Sequence, residues 1–100
     1  MKEEIESKLQ IPVLVTNFPD PYYARESIWV PFAINDLCAD EETIIVGHSS
    51  GAACGLRIAE KIKLKGLVLV SAYHTDLGDE TEAASGYFNH PWDWYEFCNL

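Results

Sequence analysis

The fold of this chain is decided by residues 43–62, which read TIIVGHSSGAACGLRIAEKI. The apolar run that opens this stretch is typical of a buried β-strand, and the apolar spacing after the turn predicts a helix. A tight turn with the pattern Gly-x-Ser-x-Gly joins the two elements. Because Gly47 and Gly51 carry no Cβ, we expect the strand and the helix to pack closely beside the turn. Ser49 then lies where the chain passes from strand to helix.

A Gly-x-Ser-x-Gly turn between a strand and a helix is the motif with which α/β-hydrolases present a nucleophilic serine. We expect Ser49 Oγ to lie at the carboxyl edge of the sheet as the attacking group. The backbone N–H of Ser50, at the positive end of the helix, is then directed at the oxyanion that forms during attack. His48, Tyr73 and His74 are candidates for the lining of a pocket at this edge; the alternative for His48 is a packing role, and the alternative for His74 is an exposed position.

The same turn has a second interpretation, as a phosphate cradle in a flavodoxin-like or nucleotide-binding module. However, the turn contains no basic residue, and the chain carries 16 acidic against 7 basic side chains, a formal net charge of −9. A surface of this charge repels phosphate groups. For the same reason we expect neither nucleic acid nor a membrane surface as a partner.

Length and cysteine content limit the possible classes of protein further. A chain of 100 residues predicts a single domain over residues 1–100. The first residues are too charged for a secretory signal, and no apolar run is long enough to span a membrane. The three cysteines lack metal-ligand spacing, so we expect reduced thiols in the cytoplasm or the nucleus, with no metal ion and no organic cofactor. Cys54 is interpreted as a small buried thiol and not as a nucleophile.

The remaining pattern predicts an α/β domain in which parallel strands alternate with helices. Buried strands are predicted at residues 12–16, 43–47 and 67–72, and helices at residues 2–9, 22–37 and 50–62. Pro31 should bend or divide the second helix. The expected architecture is a parallel sheet of about three strands flanked by helices.

A long polar loop is predicted for residues 74–91, at the carboxyl end of the last strand, where ligand-binding loops gather in open α/β sheets. Asp76 and Asp79 are interpreted as turn and cap residues, and His90 as a turn residue. The aromatic side chains at 87–97 either line an apolar substrate pocket or pack as a short helix on the sheet.

Several segments, in the same order, resemble the retinoblastoma-binding serine hydrolase family, which are small α/β-hydrolases. Between about Asn17 and Trp94 the matching segments are Pro19–Pro21, Ala24–Trp29, Thr43–Gly51, Leu69–Tyr73, Asp76–Glu80 and Ala84–Phe88. The resemblance implies an α/β-hydrolase fold and hydrolysis of an ester, thioester or amide bond through an acyl-serine intermediate. It also implies that Ser49 is the nucleophile and that the substrate is a small acyl or peptide-like molecule.

Members of this family are longer at both ends. The resemblance implies a first strand with a glycine-rich loop that supplies a second oxyanion N–H, and an acid and a histidine on loops after later strands. Residues 1–100 contain no counterpart of these segments, so we expect a truncated form that lacks the first and last strands and has impaired activity. The alternative function is that of a non-catalytic fragment that binds another protein.

The family's name reflects a Leu-x-Cys-x-Glu signature that docks on the retinoblastoma pocket. The matching segment here is Leu37-Cys38-Ala39-Asp40-Glu41, in which alanine occupies the cysteine position. Leu37 is also expected to be buried on its helix. Because Ala39 lacks the thiol that the pocket receives, we expect no retinoblastoma-type binding by this chain.

Overall fold

A parallel β-α-β unit forms the centre of the molecule. The computed structural model describes residues 2–94. In chain order the elements are α1 (Lys2–Leu9), α2 (Glu26–Pro31) with a π-helical continuation (Phe32–Asp36), β1 (Ile44–His48), α3 (Ser50–Lys61), β2 (Gly66–Val70) and α4 (Glu80–Ser85). The two strands pair in parallel, with Ile44 opposite Gly66 and His48 opposite Val70. The prediction of an α/β fold with parallel strands is therefore confirmed.

Helix α3 packs with its backbone close to the sheet. Residues 52–59 of this helix are all buried. At Gly55 an added Cβ would lie 2.8 Å from Leu67 Cδ1 and 3.4 Å from Ile45 Cγ2. A glycine at this position allows the helix to approach both strands, because any side chain would collide with Leu67.

The hydrophobic core lies on the side of α3 that faces away from solvent and extends to α2. Its buried members come from α2 and its continuation, from α3, and from two loop positions: Val30, Ala33, Ala53, Cys54, Ile58, Ala59, Leu64 and Tyr87. Partly buried rings pack around this cluster, among them Phe18, Trp29, Phe88 and Trp92. The core thus forms between helices and one face of the sheet.

The opposite face of the sheet is half exposed, which differs from the expectation of fully buried strands. Ile44, Val46 and Val68 are each 49% exposed, and Val70 is 45% exposed. Side chains alternate between the two faces of a strand, and α3 covers only the face that carries Ile45. The expectation of burial was wrong for these residues because the apolar pattern does not reveal which face another element covers.

Residues 12–16 do not form the predicted third strand. The sheet of the described chain has two strands, β1 and β2. Leu14 and Val15 are 68% and 69% exposed, and the backbone N–H of Val13 is bonded to the Glu6 carboxylate at 3.2 Å instead of to a neighbouring strand. Apolar, β-branched residues form a strand only where a pairing partner is available, and none of the described residues provides one here.

The predicted helix at 22–37 begins later than expected. Helix α2 starts at Glu26, after Arg25, whose N–H donates to Asp20 Oδ2 at 3.0 Å. Asp20 therefore stabilises the approach to the helix. Pro31 cannot donate a backbone hydrogen bond, and the helix continues from Phe32 in π-helical form. The prediction that this proline divides the helix is confirmed.

The predicted loop at 74–91 contains a short helix that the sequence analysis missed. Asp79 caps α4 by accepting hydrogen bonds from the N–H groups of Thr81 and Glu82, at 2.9 and 3.1 Å. Asp76 Oδ1 accepts a hydrogen bond from the Gly78 N–H at 2.8 Å. Asp76 and Asp79 are thus turn and cap residues, as predicted. The aromatic residues from 95 onward lie outside the described residues.

Arg57, in the middle of α3, holds the backbone of the segment after α4. Its guanidinium is 1% exposed. Nε donates to the Tyr87 carbonyl at 3.0 Å, Nη2 donates to the carbonyls of Tyr87 and His90 at 2.5 and 2.7 Å, and Nη1 donates to the Pro91 carbonyl at 3.0 Å. One side chain therefore fixes the course of residues 87–91.

Two carboxylates and one ring complete the surroundings of this guanidinium. Glu60, one turn further along α3, contacts Nη1 at 2.7 Å, and Glu26 of α2 lies 3.3 Å from Nε. The indole ring of Trp92 lies 3.6 Å from the guanidinium carbon. The buried positive charge is thus balanced by negative charge and by a π-face, which limits the cost of its desolvation.

No helix within residues 2–94 has both the length and the apolar composition needed to cross a membrane.

Replacing Arg57 with methionine should destabilise the fold strongly, because three carbonyls lose their donor and two carboxylates lose their partner. We expect Arg57→Met to lower the free energy of unfolding by about 3–5 kcal/mol, measured by urea titration. The matched control is Arg25→Met, since Arg25 pairs with Asp20 at the surface with its own side chain 49% exposed. That variant should cost less than about 1 kcal/mol. Equal effects of the two substitutions would contradict this account of Arg57.

The two described cysteines should differ in reactivity. Burial raises the pKa of the Cys54 thiol from its ordinary value of 9.0 to about 12, whereas Cys38 is exposed. At pH 8 the thiolate fraction of Cys54 should be lower on the order of 1,000-fold. Iodoacetamide labelling followed by peptide mass spectrometry should modify Cys38 quickly and Cys54 only after denaturation. Fast labelling of Cys54 in the folded protein would refute the prediction.

The raised pKa of Cys54 also makes the free energy of unfolding depend on pH. Above pH 9 the thiol of an unfolded chain loses its proton, while the folded chain keeps that proton up to about pH 12. The contribution of Cys54 is therefore fully present below pH 9 and is lost as the pH rises from 9 towards 12, at no more than about 1.4 kcal/mol per pH unit.

Candidate functional site

Ser49 lies at the apex of a sharp turn between β1 and α3. Its backbone angles are φ 56° and ψ −115°, a conformation that is strained for any residue other than glycine. The Ser49 N–H donates to the Val70 carbonyl at 3.0 Å, and the Ser49 carbonyl accepts from the N–H groups of Ala52 and Ala53 at 2.9 and 3.3 Å. These bonds attach the turn to both strand β2 and helix α3, and they hold the strained conformation in place.

The two glycines of the motif have different environments. A Cβ at Gly47 would lie 2.4 Å from the Gly51 carbonyl oxygen and 2.8 Å from the Ala52 nitrogen. Since these are backbone atoms that cannot move aside, only glycine fits at this position. At Gly51 an added Cβ would meet no atom of the described chain within 4 Å. The close approach of strand to helix therefore depends on Gly47, and Gly51 takes part through its carbonyl group.

The Ser49 hydroxyl is half buried and has one hydrogen-bond partner among the described residues. The Tyr73 hydroxyl lies 3.2 Å from Ser49 Oγ, and either atom can be the donor. Tyr73 follows the end of β2 by three residues, so the two hydroxyls meet at the carboxyl edge of the sheet. The structure thus brings together two residues that the sequence analysis assigned to the site separately.

The Tyr73 ring is part of a row of aromatic side chains. It stacks on Phe88 with a centroid distance of 5.7 Å and an interplanar angle of 30°, and Phe88 lies 6.1 Å from Trp92. Trp92 in turn covers the Arg57 guanidinium. A continuous set of contacts therefore leads from the Ser49 hydroxyl to the buried arginine of α3.

Ser50 is the first residue of α3. The N–H groups of the first turn of a helix have no acceptor within the helix, and they carry the positive end of its dipole. Together with the position of Ser49 immediately before the helix, this gives an electropositive backbone environment beside Oγ. Such an environment favours a negative charge that develops next to Oγ.

The three histidines of the chain lie away from the Ser49 hydrogen bond. His48 ends β1, and it is exposed on the side of the strand opposite α3. The His74 ring lies 6.1 Å from Trp94 in an edge-on contact. His90 Nε2 lies 3.1 Å from a carboxylate oxygen of Glu26. His48 is next to Ser49 in the sequence and His74 is next to Tyr73, but neither forms the imidazole–hydroxyl bond of a catalytic triad among the described residues.

Other kinds of site are not found at Ser49. Residues 2–94 contain no group of three His, Cys, Asp or Glu side chains that could hold a metal ion. A shallow depression of about 320 Å³ runs along α2, lined by Glu26, Val30, Ile34 and Lys61 among others. Its lining includes neither Ser49 nor Tyr73, so it is separate from the candidate site.

The segment 37–41 forms a compact turn. Asp40 Oδ1 accepts hydrogen bonds from the Glu42 N–H at 2.9 Å and from the Thr43 hydroxyl at 3.0 Å. Leu37 is half buried, and Cys38 adopts a φ of 59°. The turn positions the chain for the start of β1. Its inability to bind a retinoblastoma-type pocket stays a prediction.

Sequence reasoning missed the residues that pack behind Tyr73, which are Phe88, Trp92 and Arg57. Arg57 was treated as part of a helix, and Phe88 and Trp92 were considered only as members of an aromatic group. One signal was present: Arg57 is the single basic residue within the buried run 52–59 of α3. A charged side chain in the middle of an apolar helical run requires buried partners.

The chain was compared with known proteins. No protein-family model matches it. Serine hydrolase RBBP9 of the rat, Rattus norvegicus, is 58% identical to it over 88 residues, which correspond to 85% of this chain and 47% of the rat protein. The chain thus spans about half the length of the curated relative that it matches. With this identity over most of its residues, the chain belongs to the retinoblastoma-binding serine hydrolase family of small α/β-hydrolases.

Proposed function

We propose that Ser49 is the nucleophile of a serine hydrolase site and that the turn around it is a nucleophile elbow. The observation that carries the proposal is the strained conformation of Ser49 at the junction of β1 and α3. Strain of this kind persists only where the surrounding structure enforces it, and it is concentrated at functional sites. The substrate class is a small molecule or peptide with an ester, thioester or amide bond.

The reaction proceeds in two halves. Ser49 Oγ forms a bond to the carbonyl carbon, the carbonyl π pair moves onto its oxygen, and the proton of Oγ passes to water. The tetrahedral intermediate then expels the alcohol, thiol or amine, which takes up a proton from solvent. Water attacks the acyl-serine in the same manner, and the carboxylic acid is released as Oγ regains a proton.

Ser50 contributes its backbone N–H to this chemistry. In the tetrahedral intermediate the former carbonyl oxygen is negatively charged and lies one bond from the carbon attached to Oγ. The N–H groups at the start of α3 are already oriented when the charge develops, so they stabilise the intermediate without reorganisation. Each such donor contributes on the order of 100-fold in rate.

Turnover by this chain should be slow. An efficient serine nucleophile needs a neighbouring base, most often an imidazole, that removes the hydroxyl proton. Among residues 2–94 the hydrogen-bond partner of Ser49 Oγ is the Tyr73 phenol. We therefore expect impaired catalysis. A reagent that reacts once with Ser49 tests the nucleophile without requiring turnover.

A second candidate function is that of a non-catalytic fragment that binds another protein. The half-exposed apolar face of β1 and β2, with Val46 and Val68 each 49% exposed, favours it. If this second function is correct, Ser49→Ala should still bind the partner protein. We place the protein in the cytoplasm or the nucleus, because its cysteine usage suits a reducing compartment.

Reaction with a fluorophosphonate tests the nucleophile directly. Ser49 Oγ forms a bond to phosphorus, the P–F bond breaks with release of fluoride, and the proton of Oγ passes to the buffer. We expect one label per chain in the unmodified protein and none in Ser49→Ala. The control is Ser27→Ala, since Ser27 is an exposed serine of α2, and this variant should label as the unmodified protein does. A folded chain that takes up no label, or equal labelling of Ser49→Ala, would refute the proposal.

The turn geometry gives a matched pair of glycine variants. An alanine at Gly47 would bring its Cβ within 2.4 Å of a backbone oxygen, whereas an alanine at Gly51 would face open space. Gly47→Ala should lower the free energy of unfolding by about 1–3 kcal/mol, or more, and should abolish labelling of Ser49. Gly51→Ala should leave the free energy of unfolding unchanged or raise it by about 0.5–1 kcal/mol, because alanine favours helix. Equal stability of the two variants, measured by urea titration, would contradict the assigned packing.

A further inference from the structure

Tyr73 is the residue outside the glycine–serine motif that comes closest to the reacting atom. Its hydroxyl lies 3.2 Å from Ser49 Oγ although the two residues are 24 positions apart. The contact joins the residue between β1 and α3 to the segment that follows β2. The family comparison assigns no role to this tyrosine, and the proposed mechanism has not used it.

We infer that the Tyr73 hydroxyl is an oxyanion donor, which acts together with the Ser50 N–H on the tetrahedral intermediate. This inference rests on the proposed function of Ser49. A phenolic O–H is among the side-chain donors that can serve in an oxyanion hole. Ser50 supplies a donor from the backbone at the start of α3, and Tyr73 supplies one from the segment that follows β2.

The change in hydrogen bonding during attack gives the physical reason. Before the reaction, either hydroxyl of the pair can donate to the other. Once Oγ has bonded to the carbonyl carbon, it has no proton and can only accept. The oxyanion is attached to the same carbon, so it lies beside Oγ within reach of the rotating phenolic O–H. Because a charged oxygen is a much stronger acceptor than an ether-like one, the Tyr73 proton moves to a bond with the oxyanion.

Such a bond favours the transition state over the ground state. The Tyr73 donor meets a neutral oxygen before attack and an anionic oxygen during it, so its interaction strengthens as the charge develops. Interactions of this kind raise kcat and leave the binding of substrate nearly unchanged. A residue that merely packed against Ser49 would not produce this difference between kcat and KM.

The row of aromatic rings holds the donor in position. Tyr73 stacks on Phe88 at 5.7 Å, and Phe88 packs against Trp92. Trp92 Nε1 donates to the carbonyl of His74, the residue next to Tyr73, at 2.9 Å. The indole thus holds the backbone of the neighbouring residue directly and supports the tyrosine ring through Phe88, and a donor held in position needs little reorganisation during the reaction.

The test removes the hydroxyl and keeps the ring. Tyr73→Phe retains the stacking on Phe88, and we expect the rate of fluorophosphonate labelling and the kcat for p-nitrophenyl butyrate to fall on the order of 100-fold. The KM for the ester and the urea midpoint of unfolding should not change. The control is Tyr22→Phe, because Tyr22 is 89% exposed, and it should behave as the unmodified protein.

Each outcome decides the assignment. If the unmodified chain labels at Ser49 and Tyr73→Phe labels at the same rate, the Tyr73 assignment fails while the proposed function stands. The Tyr73 assignment is also overturned if only KM rises and kcat is unchanged. The same holds if the rate falls only because less of the protein is folded. If the folded, unmodified chain does not label at all, the proposed function fails and the Tyr73 assignment fails with it.

A second measurement covers the case in which Tyr73→Phe does not fold. Site-specific incorporation of 3-fluorotyrosine at position 73 retains the ring and makes its hydroxyl a stronger hydrogen-bond donor. With an oxyanion donor, labelling at pH 6 should be faster than in the unmodified protein. An unchanged rate at pH 6 would mean that the hydroxyl has only a structural role, and the assignment would fail.

Discussion

The structure depends on the direct contact of backbone with backbone where β1 meets α3. At Gly47 the chain runs so close to the first turn of the helix that a single methyl group would overlap the Gly51 carbonyl. At this approach Ser49 adopts its positive-φ conformation immediately before the first turn of α3. Gly55, about one turn beyond Gly51, comes close to the Leu67 side chain of β2. The helix is therefore held against the sheet at two points, and the geometry at Ser49 follows from the first of them.

Arg57 connects the stability of the fold to the geometry of the candidate site. A buried guanidinium is costly to desolvate, and here three carbonyls, two carboxylates and an indole face offset that cost. The same bonds set the path of the segment that carries Phe88 and Trp92. Since these rings contact Tyr73, a series of contacts links the buried guanidinium of α3 to the Ser49 hydroxyl. Core and site are parts of one set of contacts.

The sequence was sufficient for the elements whose signals are local. β1, α3 and β2 lie within one or two residues of their predicted positions at 43–47, 50–62 and 67–72, because an apolar run, a tight turn and a helical period adjoin one another. The strand expected at 12–16 failed because pairing depends on a distant neighbour, and the exposed face of Val46 and Val68 was missed because covering depends on distant elements. For the site, the motif placed Ser49 and Ser50, but it could not show that Tyr73 contacts Oγ. That contact depends on ring stacking across residues far apart in the chain.

The half-exposed apolar face of β1 and β2, which carries Val46 and Val68, affects how separate molecules of this chain interact in solution. Its aliphatic side chains attract one another between molecules, while a net charge of −9 keeps the molecules apart. The repulsion is long-ranged in dilute buffer and shrinks to a range of about 8 Å at physiological ionic strength. Sulfate and similar salts also strengthen apolar association. We therefore expect ionic strength to control the association of the protein: dilute buffer should keep the molecules apart, and concentrated sulfate should favour contact between the exposed faces of these strands.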